Sequence, residues 1–395
     1  MASPTPGLSG FERLGRWAAR RRWWIVAVWI GILAAALPLA VRTGDALRAG
    51  GFIRQDLESA RAKALLRDEI GLPEAAVAIV LYSPTLRAGE PAFEAAAFQA
   101  TARIGDVPHV VGVVSHAIST RQVSADGHTA YDIVTLDLPA DDSPLALPAL
   151  RAALVAVPAL EVGIAGGPAF YGDVQAVSEA DLRRSELISL PLAALALLLV
   201  FGSVVAASLP LAVGGAAVVT GLAGIVLVAG VTPMSIFVLN LATLLGLGLG
   251  VDYSLLMTSR FREEMAARDW RPEAVEDAVG ATVATAGRAV FFSGLTVLLG
   301  VLGLVLFEFM ILRSVGIAGA IVVGLAVLAA LTVLPALLAI VGPRLDSMRV
   351  RRLRGRAPGD GAALDDGPWA RLANRVMDHP IRVLVPTLAV LLLLG

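Results

Sequence analysis

Cysteine is absent from this 395-residue chain, which rules out disulfides, thiolate metal sites and cysteine nucleophiles. Charge is scarce too: Asp, Glu, Lys and Arg make up 16% of the residues, where a soluble globular chain carries about a quarter. Lysine is nearly missing, with Lys63 its single occurrence, so the positive charge is almost all arginine. A net charge of −1, with no basic block interleaved with aromatics, leaves no electrostatic footprint for nucleic acid. No G-x-x-x-x-G-K-S/T segment is present, so ATP hydrolysis is not expected. No hydrolase constellation can be assembled either, and the chain reads as a non-enzyme. His109, His116, His128 and His379 show no metal-ligand spacing with carboxylates and read as surface residues.

What is present in excess is hydrophobic, at 57% of the residues, and it falls in runs of the length that crosses a hydrocarbon core of about 30 Å. Spans are expected near 23–41, 187–207, 209–230, 235–259, 288–307 and 313–341, and a seventh begins at 381 and runs to 395. The first run follows Arg20, Arg21 and Arg22 and carries no A-x-A-like cleavage site, so it reads as a retained anchor. Arginines gather at 13–22, 260–271 and 344–382, where Arg344, Arg349, Arg351, Arg352, Arg354 and Arg356 form the densest group. The positive-inside rule then places residues 1–22, the loop 260–286 and the linker 342–380 in the cytoplasm, and residues 42–186 outside. The stretch 260–278 is amphipathic and is expected to lie along the cytoplasmic membrane surface.

Residues 42–186 change character. Helical spacing at 56–70 precedes a strand pattern at 75–82, and a helix at 91–104 follows. Strands at 110–115 and 130–138, a helix near 144–156 and a strand at 161–165 complete the order β-α-β-β-α-β of a split βαβ sandwich. The Gly166-Gly167-Pro168 turn and a polar helix at 173–186 lead into the second span. The expected fold class is a membrane all-α helical bundle of six complete spans plus the start of a seventh, with an extracytoplasmic α+β porter-like domain.

A short repeat links Phe11-Glu12-Arg13-Leu14-Gly15, before the first span, to Trp369-Ala370-Arg371-Leu372-Ala373, before the seventh. Transporters are often built from such repeated halves. On this reading the chain is the N-terminal half of a longer protein.

The fourth span carries Leu247-Gly248-Leu249-Gly250-Val251-Asp252-Tyr253. Asp252 lies eight residues before Arg260, about 12 Å inside the cytoplasmic boundary at a rise of about 1.5 Å per residue. An ionised carboxylate there costs at least about 2.5 kcal/mol, and desolvation favours the neutral acid. A carboxyl so poised can take a proton from one side and release it to the other, drawing about 2.3 kcal/mol per 100 mV from the membrane potential. Tyr253 adds a phenol that can hydrogen-bond a carboxylate. Gly246, Gly248 and Gly250 would let another helix approach closely; no strand-turn-helix context makes them a dinucleotide site. The competing reading is a carboxylate satisfied by a partner helix, holding the bundle together. Ser293 and Thr296 on the fifth span are candidates for a polar path beside Asp252, although such hydroxyls usually bond their own backbone. Arg288 would snorkel to the interface, and Glu308 at the outer end of that span would be solvated.

Gly248-Leu249-Gly250-Val251-Asp252-Tyr253 followed by Ser259-Arg260-Phe261-Arg262-Glu263-Glu264 resembles the fourth-span signature of the MMPL (mycobacterial membrane protein, large) branch of the RND superfamily. Three further stretches are similar to that family: Gly166-Gly167-Pro168-Ala169, Ala286-Gly287-Arg288-Ala289-Val290-Phe291-Phe292-Ser293-Gly294 and Leu334-Pro335-Ala336-Leu337-Leu338. The resemblance implies a fold of about twelve spans with two outer porter domains in a bacterial plasma membrane, exporting lipids or other hydrophobic molecules. It implies a proton relay at Asp252 and Tyr253 facing an equivalent pair in the tenth span, which a missing second half or a second chain would have to supply. No cofactor is implied beyond protons as coupling ion. Two other functions stay open: a SecDF-like protein-export factor driven by protons, and a non-transporting sterol-sensing or scaffold membrane protein.

Overall fold

The computed structural model describes residues 9–48, 57–348 and 368–394. Arg349, Arg351, Arg352, Arg354 and Arg356 therefore lie outside the described residues, as do Asp56, most of the linker and the final Gly395. Within the described residues, six helices are long and apolar enough to cross a membrane.

The chain opens with α1 (Gly10–Arg20), whose start is fixed by Ser9: its hydroxyl accepts the Glu12 backbone N–H at 3.1 Å. After Arg21 the apolar helix α2 (Arg22–Val41) begins, and the short α3 (Thr43–Ala46) follows. Helix α4 (Glu58–Ile70) buries none of its side chains and ends on Gly71, a left-handed C-cap at φ +71°.

The α+β domain then runs β1 (Ala75–Tyr82), α5 (Pro91–Thr101), β2 (Val110–Val114), β3 (Thr129–Leu136), α6 (Leu147–Ala153) and β4 (Glu161–Ala165). The strands form one antiparallel sheet in the order β2-β3-β1-β4, the split βαβ arrangement that the sequence pattern implies. Alternation puts Val77, Ile79 and Leu81 of β1 and Ala130, Val134 and Leu136 of β3 against Phe93, Ala97 and Leu150 of the helices.

The same alternation buries Asp132, at 4% exposure, among those apolar neighbours. A carboxylate there needs partners. His116 supplies two: its backbone N–H donates to Asp132 Oδ1 at 2.8 Å and its Nδ1 lies 2.7 Å from the same oxygen. His116 is therefore a buried residue and not a surface one, because the inward position of Asp132 draws it under the sheet. His128 is also tied down, its Nδ1 within 3.0 Å of the Ser83 and Leu86 carbonyls, whereas His109 is exposed beside Asp137.

Helix α7 (Gly167–Phe201) is continuous from the polar segment at 173–186 into the second span. It stops at Gly202 in a left-handed cap (φ +65°), and Ser203 caps α8 (Val204–Ala229) by accepting the Ala206 N–H. The boundary between these spans thus falls at 202–203, earlier than the 207–209 read from hydropathy. The adjacent stop and start signals decide it, and Pro210 is simply carried inside α8.

Helix α9 (Val238–Ala266) runs past its apolar run by two turns. Asp269 and Trp270 then adopt left-handed backbone (φ +52° and +55°) and reverse the chain into α10 (Val275–Thr282). Residues 260–286 are accordingly a packed helical hairpin and not an open loop. The apolar face of that stretch is used internally, with Phe261, Met265, Ala278 and Val279 all in the core. One π-helical turn (Val283–Gly287) joins α10 to α11 (Arg288–Leu302).

Helix α12 (Met310–Leu331) breaks at Thr332 before α13 (Val333–Val341). Pro335 lacks the N–H that would bond the Leu331 carbonyl, which weakens the helix at this point. Finally α14 (Pro368–Asp378) meets α15 (Pro380–Leu394) at a 99° bend. The pair repeats the order of α1 and α2, an amphipathic helix followed by an apolar one.

Helices α8, α9, α12 and α13 form the buried middle of the bundle, whereas α2, α7 and α11 keep most of their surface open. Helix α1 docks on α10: Gly15 sits where a Cβ would meet the Val279 carbonyl at 2.9 Å, and Arg16 reaches Asp277 at 3.0 Å. The α8–α9 crossing is closer still, since a Cβ built on Gly250 would stand 2.5 Å from Gly214 Cα.

Gly250→Leu should therefore lower the melting temperature of the purified chain in detergent by forcing the two backbones apart, an overpacking cost of about 1–3 kcal/mol. Gly248→Leu, where a Cβ meets nothing within 4 Å, should leave it unchanged. In the α+β domain, Asp132→Ala would strand the His116 ring nitrogen and N–H, a penalty of about 1–3 kcal/mol. Faster amide exchange in β3 and faster proteolysis of 75–165 would register it.

Candidate functional site

The site is set by how α9 is held. Gly250 rests on the backbone of α8 at Gly214, and Gly246 rests on Val218 of α8 and Val322 of α12. These two positions are one turn apart on one side of α9. Gly248 lies across the helix, faces open space and takes no part in this packing. The packing role expected of all three glycines falls to two of them.

Pinning Gly246 and Gly250 fixes the rotation of α9. Tyr253, Ser254, Met257 and Thr258 are turned inward and buried. Asp252 is turned outward, on the exposed stripe of Leu244, Gly248 and Leu256. No described side chain hydrogen-bonds its carboxylate, so the competing reading of a carboxylate held by a partner helix has no such partner among the described residues.

The Tyr253 ring points towards α11. Its hydroxyl lies against Gly294, 3.5 Å from where a Cβ would stand, and the same missing Cβ lets Val327 of α12 close in. The hydroxyl is enclosed without a well-formed hydrogen bond; Ser293 is the neighbouring hydroxyl but does not complete one. Ser293 is exposed, so it and Asp252 flank the phenol, one across the helix boundary and one along α9. Thr296 is exposed as well, and its hydroxyl donates to the Phe292 carbonyl of its own helix at 2.9 Å. That bond is the ordinary local use of such a hydroxyl.

Sequence reading missed two features. Gly294 and Gly214 make the close approaches that seat Tyr253 and α9; the small residues Gly214, Ala217 and Gly221 recurring along α8 were the available signal. Ser254 and Thr258 are fully buried hydroxyls on α9 with no hydrogen-bond partner among the described residues. Nothing in their spacing marked them. Together with Tyr253 they give α9 three unsatisfied hydroxyls within two turns, groups able to accept or relay a proton or bind water. No cluster of three or more His, Asp or Glu suited to a metal occurs among the described residues.

The sequence pattern defining the MMPL family matches residues 54–383. The chain belongs to the MMPL family. A membrane protein of Streptomyces coelicolor is 37% identical over 319 residues, 78% of this chain and 42% of that protein. The trehalose monomycolate exporter MmpL3 of Mycobacterium tuberculosis is 32% identical over 311 residues, 72% of this chain and 32% of the exporter. The mycolic acid-containing lipids exporter MmpL11 of Mycolicibacterium smegmatis is 28% identical over 395 residues, 97% of this chain and 40% of that protein. The chain thus spans less than half the length of these MMPL relatives. The six long apolar helices among its described residues and the family place it as a multi-pass bacterial membrane protein.

The unpaired phenol of this MMPL chain yields a sharp expectation. Tyr253→Phe removes a buried hydroxyl that has no hydrogen bond to lose, so the melting temperature in detergent should be unchanged or slightly higher. A drop equivalent to more than about 1 kcal/mol would show that the hydroxyl is hydrogen-bonded after all.

Proposed function

We propose that this chain is part of a secondary active transporter that exports a lipid or another hydrophobic molecule, driven by protons passing through Asp252 and Tyr253. The observation that carries the reading is the position of Asp252: a carboxylate midway along an apolar helix, turned outward beside an enclosed phenol. Ionisable groups at that depth face a protein interior or a water-filled cavity, because lipid solvates them poorly. The outward face of α9 is therefore an inner face of something larger. A second half of the same architecture, or a second chain, would supply the opposing group. That the chain spans less than half of its relatives' length supports this.

The chemistry follows from the surroundings. Asp252 offers a carboxyl that can take up a proton from one side and release it to the other. A conformational change that exposes Asp252 alternately to the two sides would carry one proton per cycle. It would supply about 2.3 kcal/mol per 100 mV of membrane potential to the movement of α9 against its neighbours. Tyr253 would hold the carboxyl in place or pass its proton to Ser293. The lipid substrate is inferred from the names of MmpL3 and MmpL11. The N-terminus, 260–286 and 342–380 would face the cytoplasm by their arginine content.

Asp252→Asn tests the reading directly. The variant should insert and accumulate as the parent does, because no described bond is lost, while lipid export by cells carrying the complete transporter falls to background. Proton uptake by proteoliposomes would vanish with it. Undiminished export and proton flux would sink the proposal, and accumulation of secretory precursors in place of lipid would reassign the cargo to polypeptide.

A further inference from the structure

A cavity of about 480 Å³ opens between α2 and α12, far from Asp252 in chain order and unused by the proposed relay. Its walls are apolar and rich in indoles, with Trp17, Trp24 and Trp29 on one side and Leu328 on the other. The polar groups that reach it deep down are satisfied internally: the Trp29 indole N–H donates to Thr332 Oγ1 at 3.1 Å, and the Thr332 hydroxyl donates to the Leu328 carbonyl. That leaves an apolar slot suited to hydrocarbon.

At the rim stands Arg21. Its neighbours are committed: Arg16 to Glu12 and Asp277, Arg20 to Glu276 at 2.8 Å, and Arg22 to the Ala339 carbonyl at 3.4 Å. Arg21 is exposed, lines the cavity and pairs with no described carboxylate. Trp17 and Trp24, 51% and 69% exposed, flank it as residues of a membrane–water boundary do. From Arg21 to Ile32, the deepest lining residue on α2, the helix rises about 16 Å. That is about half of a 30 Å hydrocarbon core, the depth of one leaflet.

We propose that this groove binds one anionic phospholipid of the leaflet facing the N-terminus, its phosphate on the Arg21 guanidinium and one acyl chain laid between α2 and α12. The proposal shares with the preceding section only the placing of the N-terminus at the cytoplasmic face. The charge at the rim selects the headgroup, because a guanidinium matches a phosphate in two parallel hydrogen bonds and no local acid competes for it. The apolar indole-lined slot selects the chain. Since α12 also packs on α9, a lipid seated here would bear on the helix that carries Asp252. It would act as a bound membrane component and not as cargo.

The test uses the full chain in nanodiscs of mixed phosphatidylglycerol and phosphatidylcholine, with retained lipid counted by native mass spectrometry. One phosphatidylglycerol should stay bound in preference to phosphatidylcholine. Arg21→Gln should weaken that retention about tenfold, the worth of one charged hydrogen bond. Val28→Trp, which fills the slot from an exposed position, should abolish it while circular dichroism stays unchanged. Excess inorganic phosphate should not displace the lipid. Four outcomes would overturn the proposal: retention without headgroup preference, retention indifferent to both variants, displacement by phosphate alone, or a groove that retains no lipid because protein fills it. Asp252→Asn should retain the lipid normally, so failure of the proton reading and failure of this one are told apart.

Discussion

The contact on which this structure turns is made by two glycines. Gly250 of α9 lies on Gly214 of α8 with no side chain between the backbones. Nothing larger fits there. Because an α-helix is rigid about its own axis, that contact also sets which way every nearby residue of α9 points. At about 100° per residue, a position two beyond Gly250 faces away from α8. Asp252 is that position, and so the carboxylate is turned out of the bundle while Tyr253, Ser254 and Thr258 are turned in. Gly294 plays the matching part on α11, leaving room for the Tyr253 hydroxyl and for Val327 together.

Polar groups elsewhere are handled in two contrasting ways. In the α+β domain the inward Asp132 accepts at Oδ1 from the His116 N–H and faces the His116 Nδ1, which ties β3 to the segment after β2. On α9 three hydroxyls are enclosed and left unmet, and one carboxylate is left facing out. A helix arranged only for stability would not collect them, since each unsatisfied group carries a desolvation cost. Their concentration on the helix that bears the mid-span acid is what distinguishes α9 from α8 and α12. In both of those, the buried Thr or Ser hydroxyls bond a backbone group: Thr220 to the Ala216 carbonyl, and Ser314 to the Ser235 N–H.

Much of the architecture was legible in the chain because each signal has a local physical cause. Apolar runs long enough for a hydrocarbon core mark the spans. Period-two alternation marks β1 and β3, and the polar run at 173–186 marks the approach to the second span. The errors share a cause as well. The span boundary at 202–203 was hidden because Gly202 and Ser203 act through capping geometry, which hydropathy does not sense. The apolar face of residues 260–278 packs against the protein's own core once Asp269 and Trp270 reverse the chain, a pairing that amphipathic spacing alone does not show. His116 read as exposed because its partner is sixteen residues away in sequence and meets it only through the sheet.

Asp252 shows where the division falls. Its type, its depth in the membrane and the phenol beside it are properties of the residue order, since rise per residue and the length of an apolar run fix depth without reference to any other helix. Likewise the arginines before the first apolar run are legible as a rim of positive charge. Which way Asp252 faces, which two of the three glycines near it carry the packing, and that Arg21 is left without a carboxylate while Arg16 and Arg20 are paired were decided only by tertiary structure. The reason is the same in each case: azimuth and pairing depend on what a neighbouring helix presents at the point of contact, and that neighbour lies far away along the chain.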